Sequence, residues 1–182
     1  MKNLITSILT ILLIYLTLSL TACSVPDELK TDHISAVKLF DLDRYLGTWY
    51  EIARLPHKFE KDLEQVTATY TLRDDGKISV VNRGFNTKSK EWEEAEGKAW
   101  IPDPETPAKL RVSFFLFFAS DYKIIELDQN DYAYAMVTSS SKEYLWILSR
   151  TPQLDEKIYD RLVDTAHQLG FDVSKIHRVS HN

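Results

Sequence analysis

The segment GTWYEIARLP, residues 47 to 56, joins a glycine, a tryptophan, an acid and an arginine in one apparent strand. Period-2 alternation puts Gly47, Trp49, Glu51 and Ala53 on one face and Thr48, Tyr50, Ile52 and Arg54 on the other. Neither face is cleanly apolar. Such a strand suits a curved wall whose inner side meets water or a bound molecule rather than uniform aliphatic core.

Outward from this stretch, the chain continues as short strand-like segments divided by turn residues. They are Gly47–Leu55, Val66–Leu72, Lys77–Phe85, Trp92–Trp100, Leu110–Phe115, Asp121–Leu127, Tyr132–Thr138 and Tyr144–Ser149. Asp74-Asp75-Gly76, Asn86 to Lys90, the Pro102/Pro104/Pro107 stretch, Asp128 to Asp131 and Ser139 to Lys142 separate them, mostly at hairpin length. The first connection, Pro56 to Gln65, is longer and marks a loop with its own role. Eight consecutive segments suggest a meander, and a meander abolishes its edges by closing into a barrel. Residues 151–170, TPQLDEKIYDRLVDTAHQLG, then predict a helix entered at Thr151 and Pro152 and stopped by Gly170. Its stripe of Ile158, Leu162, Val163, Ala166 and Leu169 suits packing on the barrel's outside. The tail from Val173 to Val179 is a candidate last short strand. The expected fold is all-β: an eight-stranded antiparallel up-and-down barrel with one C-terminal α-helix outside.

Charges assign faces, because an unpaired charge inside a barrel is costly. Arg83 turned outward leaves Val80 and Asn82 inside, and Glu94, Glu96 and Lys98 leave Ala95, Gly97 and Ala99 inside. Arg111 and Ser113 leave Val112 and Phe114 within, and Lys123 leaves Tyr122 and Ile124. The seventh segment has no charge and is not decided by this test. An interior of small and aromatic residues favours a cavity over a solid core, and eight strands enclose room for one small ligand.

The N-terminus tells of location. Residues 4–20, LITSILTILLIYLTLSL, form an uncharged run of 17 behind Lys2, followed by LTAC at residues 20–23. A short apolar run ending in small residues reads as a secretory signal. LTAC resembles the bacterial lipobox, whose cysteine is lipidated, and Cys23 is the chain's single cysteine. A spanning anchor is the alternative at this length, but the cysteine stands where a lipoprotein cut must fall. Residues 1–22 are thus expected as a cleaved signal peptide, 23–38 as a tether and 39–182 as the domain. Ser24, in place of the aspartate more usual in inner-membrane-retained lipoproteins, points by that resemblance to the periplasmic leaflet of the outer membrane. Loss of Lys2 takes the formal charge from −5 to −6, a balance that argues against nucleic acid as a partner.

Three stretches carry a family resemblance over Leu39 to the C-terminus. Gly47 and Trp49 match the G-x-W motif of the lipocalins, DYAYAMVTS (131–139) looks like their second motif, and Arg150 after EYLWILSR matches their third. Together with the lipobox, RVSFFLFFASDY (111–122) makes bacterial outer-membrane lipocalins the best match. The resemblance implies that Trp49 and Arg150 meet at a closed barrel end, with Gly47 allowing close backbone approach there. It further implies that Ala68 and Tyr70, Ala135 and Val137, and Tyr144 and Trp146 face inward.

The function so implied is that of a lipid-anchored carrier, not an enzyme, holding a fatty acid or lysophospholipid with no cofactor. Burial of about 14–18 methylenes gains roughly 11–14 kcal/mol, much of which association costs remove. The expected ligand contacts are Glu51, Ala53, Ala68, Tyr70, Val80, Asn82, Ala95, Val112, Phe114, Tyr122, Ile124, Val137, Tyr144 and Trp146. Ordinary packing with a satisfied hydroxyl is the alternative for Tyr70 and Tyr122. A barrel enzyme acting on lipid is a second reading, yet His33, His57, His167, His177 and His181 show no triad spacing and no metal-ligand motif occurs. A third is an interaction module. FFLFF, Phe114 to Phe118, holds more aromatics than one inward face uses, which suits a lipid-facing lip, a homodimer patch or packing beneath the helix.

Overall fold

The computed structural model describes residues 25–115 and 118–181; the leader and Cys23 lie outside them. Eight antiparallel strands form a closed ring: β1 (Gly47–Arg54), β2 (Leu63–Leu72), β3 (Ile78–Asn86), β4 (Glu91–Trp100), β5 (Lys109–Phe115), β6 (Phe118–Leu127), β7 (Tyr134–Thr138) and β8 (Leu145–Ser149). The ring shuts where β1 pairs with β2 through Gly47↔Tyr70 to Tyr50↔Thr67 and with β8 through Tyr50↔Ser149 to Arg54↔Trp146. All eight segments expected from the turn spacing are present, and their ends move by up to three residues. Gly76, at φ +75°, makes the β2–β3 turn. The Asn86 side chain builds the next one, accepting from the backbone N–H groups of Lys88 and Ser89.

A four-residue helix, α1 (Leu42–Tyr45), closes the end of the barrel where β1 begins. Trp49 is fully buried there and donates its indole N–H to the carbonyl of Tyr45 at 2.8 Å. The Arg150 guanidinium lies 3.9 Å from the Trp49 ring centroid. It also donates to the carbonyls of Thr48 (3.1 Å) and Arg44 (2.7 Å). Gly47, at φ +93°, passes so close that an added Cβ would stand 3.4 Å from this guanidinium.

The second helix, α2 (Glu156–Gln168), begins four residues later than Thr151 and Pro152 would set it, because Asp155 caps it by accepting from the N–H groups of Lys157 and Ile158. Gly170, at φ +83°, follows its end. Leu162 and Ala166 bury against Ile52, Ala53, Met136 and Ile147 on the barrel's outer wall. This explains the uncharged seventh strand: β7 is covered on both faces, Ala135 and Val137 within the barrel and Met136 beneath the helix.

Two segments complete the wall. A last short strand, β9 (His177–Arg178), pairs with the upper half of β1, where β1 and β2 part. Beyond it the tail fills the seam: Val179 N–H donates to the Ile52 carbonyl, and Gln65 N–H donates to the Ser180 carbonyl, both at 2.9 Å. Residues 25–38, expected as a tether, lie along the barrel with Thr31 and Ile34 buried. Lys123 holds them by donating to the carbonyls of Thr31 (2.7 Å) and Ile34 (3.2 Å).

Replacing Arg150 with alanine removes a cation–π contact and two carbonyl bonds at the closed end, about 2 kcal/mol in all. Scanning calorimetry is expected to show a melting temperature lowered by roughly 4–8 °C with ligand stoichiometry unchanged; an unmoved melting temperature overturns the role.

Candidate ligand-binding site

The decisive local feature is a bulge in β1. Glu51 pairs with Leu148 and Ala53 with Ile147, leaving Ile52 as an extra residue. The extra residue reverses the alternation. Ile52 and Ala53 both turn out beneath α2, and Arg54 turns in beside Glu51. Alternation alone sends Ala53 inward and Arg54 outward, so both expectations are corrected by this one residue.

Inside the barrel, above the packed closed end, is a cavity of about 100 Å³. Val66, Ala68, Val80, Val112, Phe114 and Leu148 supply apolar wall, and Tyr70, Asn82, Tyr122, Trp146, Glu51 and Glu60 supply the polar groups. Nine of the fourteen residues expected at the ligand line it. Ile124 and Val137 lie in the barrel core but not on the cavity wall, buried with Trp49 and Leu127. Ala95 pairs with the inward Asn82 but is exposed, because β4 meets β5 only from Lys98 to Trp100 and its upper half stands free of that neighbour. Tyr144 precedes β8, stacking on Trp146 with centroids 6.0 Å apart and flanking His57.

Val66, Leu148 and Glu60 line the cavity without having been expected there. Alternation from Ala68 and Trp146 would have found the first two; nothing periodic marks Glu60, which lies in the β1–β2 loop. Where β4 and β5 do meet, Gly97 makes room for Phe114, since an added Cβ would come within 2.7 Å of that ring.

Three tyrosines form the cavity's polar floor. Tyr122 Oη lies 2.7 Å from Tyr45 Oη and 2.9 Å from Tyr70 Oη. Burial lifts all three pKa values, Tyr70 to about 12 and the others well above the usual range. They are neutral, and two mutual bonds use two of their three protons. A donor remains. Asn82 Oδ1, buried on the cavity wall, has no hydrogen-bond partner among the described residues.

The β1–β2 loop forms the roof, with a 3-10 turn at Lys58–Glu60. Arg54 holds it, donating to Glu51 Oε1 (2.7 Å), the Glu60 carbonyl (3.0 Å) and the Leu63 carbonyl (2.7 Å). Glu60 Oε2 accepts from the Trp146 indole at 3.1 Å and contacts His57 Nε2 at 2.9 Å without the alignment of a hydrogen bond. The two acids differ sharply. Burial, reinforced by the charge of Glu60, pushes the Glu51 pKa well above the carboxylate range despite Arg54. Burial works to raise Glu60 too, but His57, Trp146 and Arg54 outweigh it and hold that carboxyl below its ordinary value. The roof thus joins two acids shifted in opposite directions and a cation over an apolar chamber.

A family model described as a lipocalin-like domain matches residues 40–181, a span that contains the whole barrel. This chain belongs to the lipocalin family. Among relatives, the outer membrane lipoprotein Blc of Escherichia coli K12 is 47% identical over 154 residues, covering 85% of each chain. Blc of Vibrio cholerae is 46% identical over 145 residues, or 80% of this chain and 85% of that one. Insecticyanin of the tobacco hornworm Manduca sexta superposes with a TM-score of 0.66 at 26% identity, covering 87% of both chains. Apocrustacyanin C1 superposes at 0.67 with 18% identity, over 87% of this chain and 94% of that one, a likeness of fold alone. Gly47, Trp49 and Arg150 of this lipocalin make the closed end, and its cavity lies toward the other, beneath the β1–β2 loop.

The raised Glu51 pKa has a definite sign. The folded state binds this proton more tightly than the unfolded one, so its stabilising contribution is full below the ordinary pKa of 4.5 and is lost as pH rises through the folded value. Thermal melts of the Glu51→Gln chain are expected to match wild type near the acid end and exceed it at alkaline pH. Arg54→Ala, which strips partners from Glu51 and two carbonyls, is expected to cost about 3–5 kcal/mol in denaturant melts.

Proposed function

We propose that this lipocalin is a lipid-anchored outer-membrane carrier that holds the acyl chain of a fatty acid or lysophospholipid in its barrel. The apolar cavity carries the reading: aliphatic and aromatic walls with a few polar groups at floor and roof are the chemistry of a single-chain amphiphile site. The names of the Escherichia coli and Vibrio cholerae relatives support the address, and LTAC at residues 20–23 supplies an anchor at Cys23.

The cavity's about 100 Å³ is well below the roughly 300–1,000 Å³ of ordinary ligand pockets. A long acyl chain therefore enters as the β1–β2 loop lifts and Phe114 and Trp146 turn aside. Binding is coupled to breaking the contacts of Glu60 with Trp146 and His57, which sets a threshold that short chains do not repay. Carriage rather than turnover fits the acids present: Glu51 is committed to Arg54 and Glu60 to Trp146 and His57.

Native mass spectrometry of the protein purified from cells is expected to show one co-purified single-chain lipid per barrel. In lipid-displacement titrations, Trp146→Ala and Tyr122→Ala are expected to weaken binding by roughly tenfold, or about 1.4 kcal/mol. Tyr122→Phe separates lost wall from lost hydroxyl. Unmoved affinity in all three would remove the cavity from the mechanism, and hydrolysis of a lipid ester abolished by Glu51→Gln would replace carriage with catalysis.

A further inference from the structure

We propose that the open end of the barrel is a membrane-docking surface that lies against the phospholipid leaflet carrying the lipid anchor. The inference rests on the lipoprotein reading of Cys23 and goes beyond it, because an anchor alone does not say which way the barrel faces.

Where the chain enters the fold decides the orientation. Leu29 accepts from the N–H of Lys142 at 2.7 Å, and Lys30 bridges Ser141. Both partners belong to the β7–β8 loop, at the opposite end of the barrel from Trp49 and Arg150. The segment then descends: Val37 N–H donates to the Ile124 carbonyl, and Asp41 N–H to the Tyr132 hydroxyl near the closed end. Six chain steps lead from Cys23 to Leu29. Allowing for the 3-10 turn at Asp27–Leu29, they reach about 17 Å at full stretch. The ten residues of β6 run about 30 Å from rim to floor. An anchor so short keeps the rim, and not the floor, at the bilayer.

The same rim has the surface chemistry of a membrane contact. Phe59 is 64% exposed in the β1–β2 loop, and Phe115 and Phe118 are 69% and 78% exposed where β5 ends and β6 begins. None of the three packs beneath α2, whose cover is Ile52, Ala53, Met136 and Ile147. Lys58 lies over the Phe59 ring at 5.2 Å, and Lys61, Lys88 and Lys90 are exposed on the neighbouring rim loops. Asp62 answers Lys88 at 2.9 Å. Exposed aromatic rings set among lysines and the acids Asp62, Glu91 and Glu93 on the same rim suit the headgroup interface of a phospholipid leaflet. The cavity then opens onto lipid rather than water, and a single-chain amphiphile passes between leaflet and barrel without crossing solvent.

With its own cysteine lipidated, the chain accepts a thiol probe at a position of choice. Full-length protein carrying Phe118→Cys at the rim, or Leu72→Cys at the closed end, is labelled with an environment-sensitive fluorophore. It is then reconstituted in phosphatidylethanolamine–phosphatidylglycerol vesicles holding nitroxide-bearing lipid. The rim probe is expected to shift blue and to be quenched several-fold more than the closed-end probe. Equal quenching, or stronger quenching at Leu72→Cys, overturns the proposal. A blue shift that appears without vesicles and grows with protein concentration assigns the rim to a second copy of the chain and overturns it as well. The mass of Cys23 reads the anchor separately. If Cys23 is unmodified, the Cys23→Ser chain is added to the same vesicles, where the rim probe must still shift if the rim seeks lipid.

Discussion

Arginine is an expensive residue to place inside a barrel, and the upper half of this one is arranged around Arg54. Each of its bonds satisfies a group that would otherwise be stranded: a carboxyl on its own strand, and two carbonyls where the chain leaves the loop for β2. Desolvation makes such a cluster a weak source of net stability but a strong source of geometry, since losing any partner leaves a buried charge or dipole unpaired. Through Arg54 the loop acquires a fixed seat over the cavity. Through Glu60 that seat extends to Trp146 on the neighbouring strand β8.

The two ends of the barrel solve opposite problems with similar residues. At the floor, Arg150 lies flat on Trp49 and ties up carbonyls, so nothing there needs to move. At the roof, Arg54 and Glu60 are bonded into the β1–β2 loop, the part that yields in the proposed carriage of a long chain. Between them, the tyrosine floor is neutral throughout the physiological range, so the chamber's own charge resides only at its roof.

Much of this was legible in the residues. Turn chemistry located eight strands, outward charges placed Val80, Asn82, Val112, Phe114 and Tyr122 on the cavity wall, and Gly170 marked the helix end. What escaped was whatever periodicity does not encode. A bulge is one inserted residue, and in a strand covered on both faces Ile52 and Ala53 carry no sign of which of them is extra. Glu60 reaches the cavity from a loop by tertiary bonds alone. Ala95 is on the inward face, yet exposed, because barrel strands need not pair along their whole length. The stretch before Leu39 read as polar tether because its buried anchors, Thr31 and Ile34, are too few and too far apart to show a period.

The C-terminal tail carries a consequence for the order of assembly. The seam between β1 and β2 is filled by Val179, Ser180 and His181, whose ring contacts the Glu51 carbonyl at 2.8 Å. The wall beside the cavity is therefore finished by residues far along the chain, and β1 waits for partners about 100 and 125 positions downstream. Contacts of that span are the slow ones. A growing chain stays an open sheet until those partners arrive, and becomes a container only afterwards. The first strand to be made is the last to be sealed in.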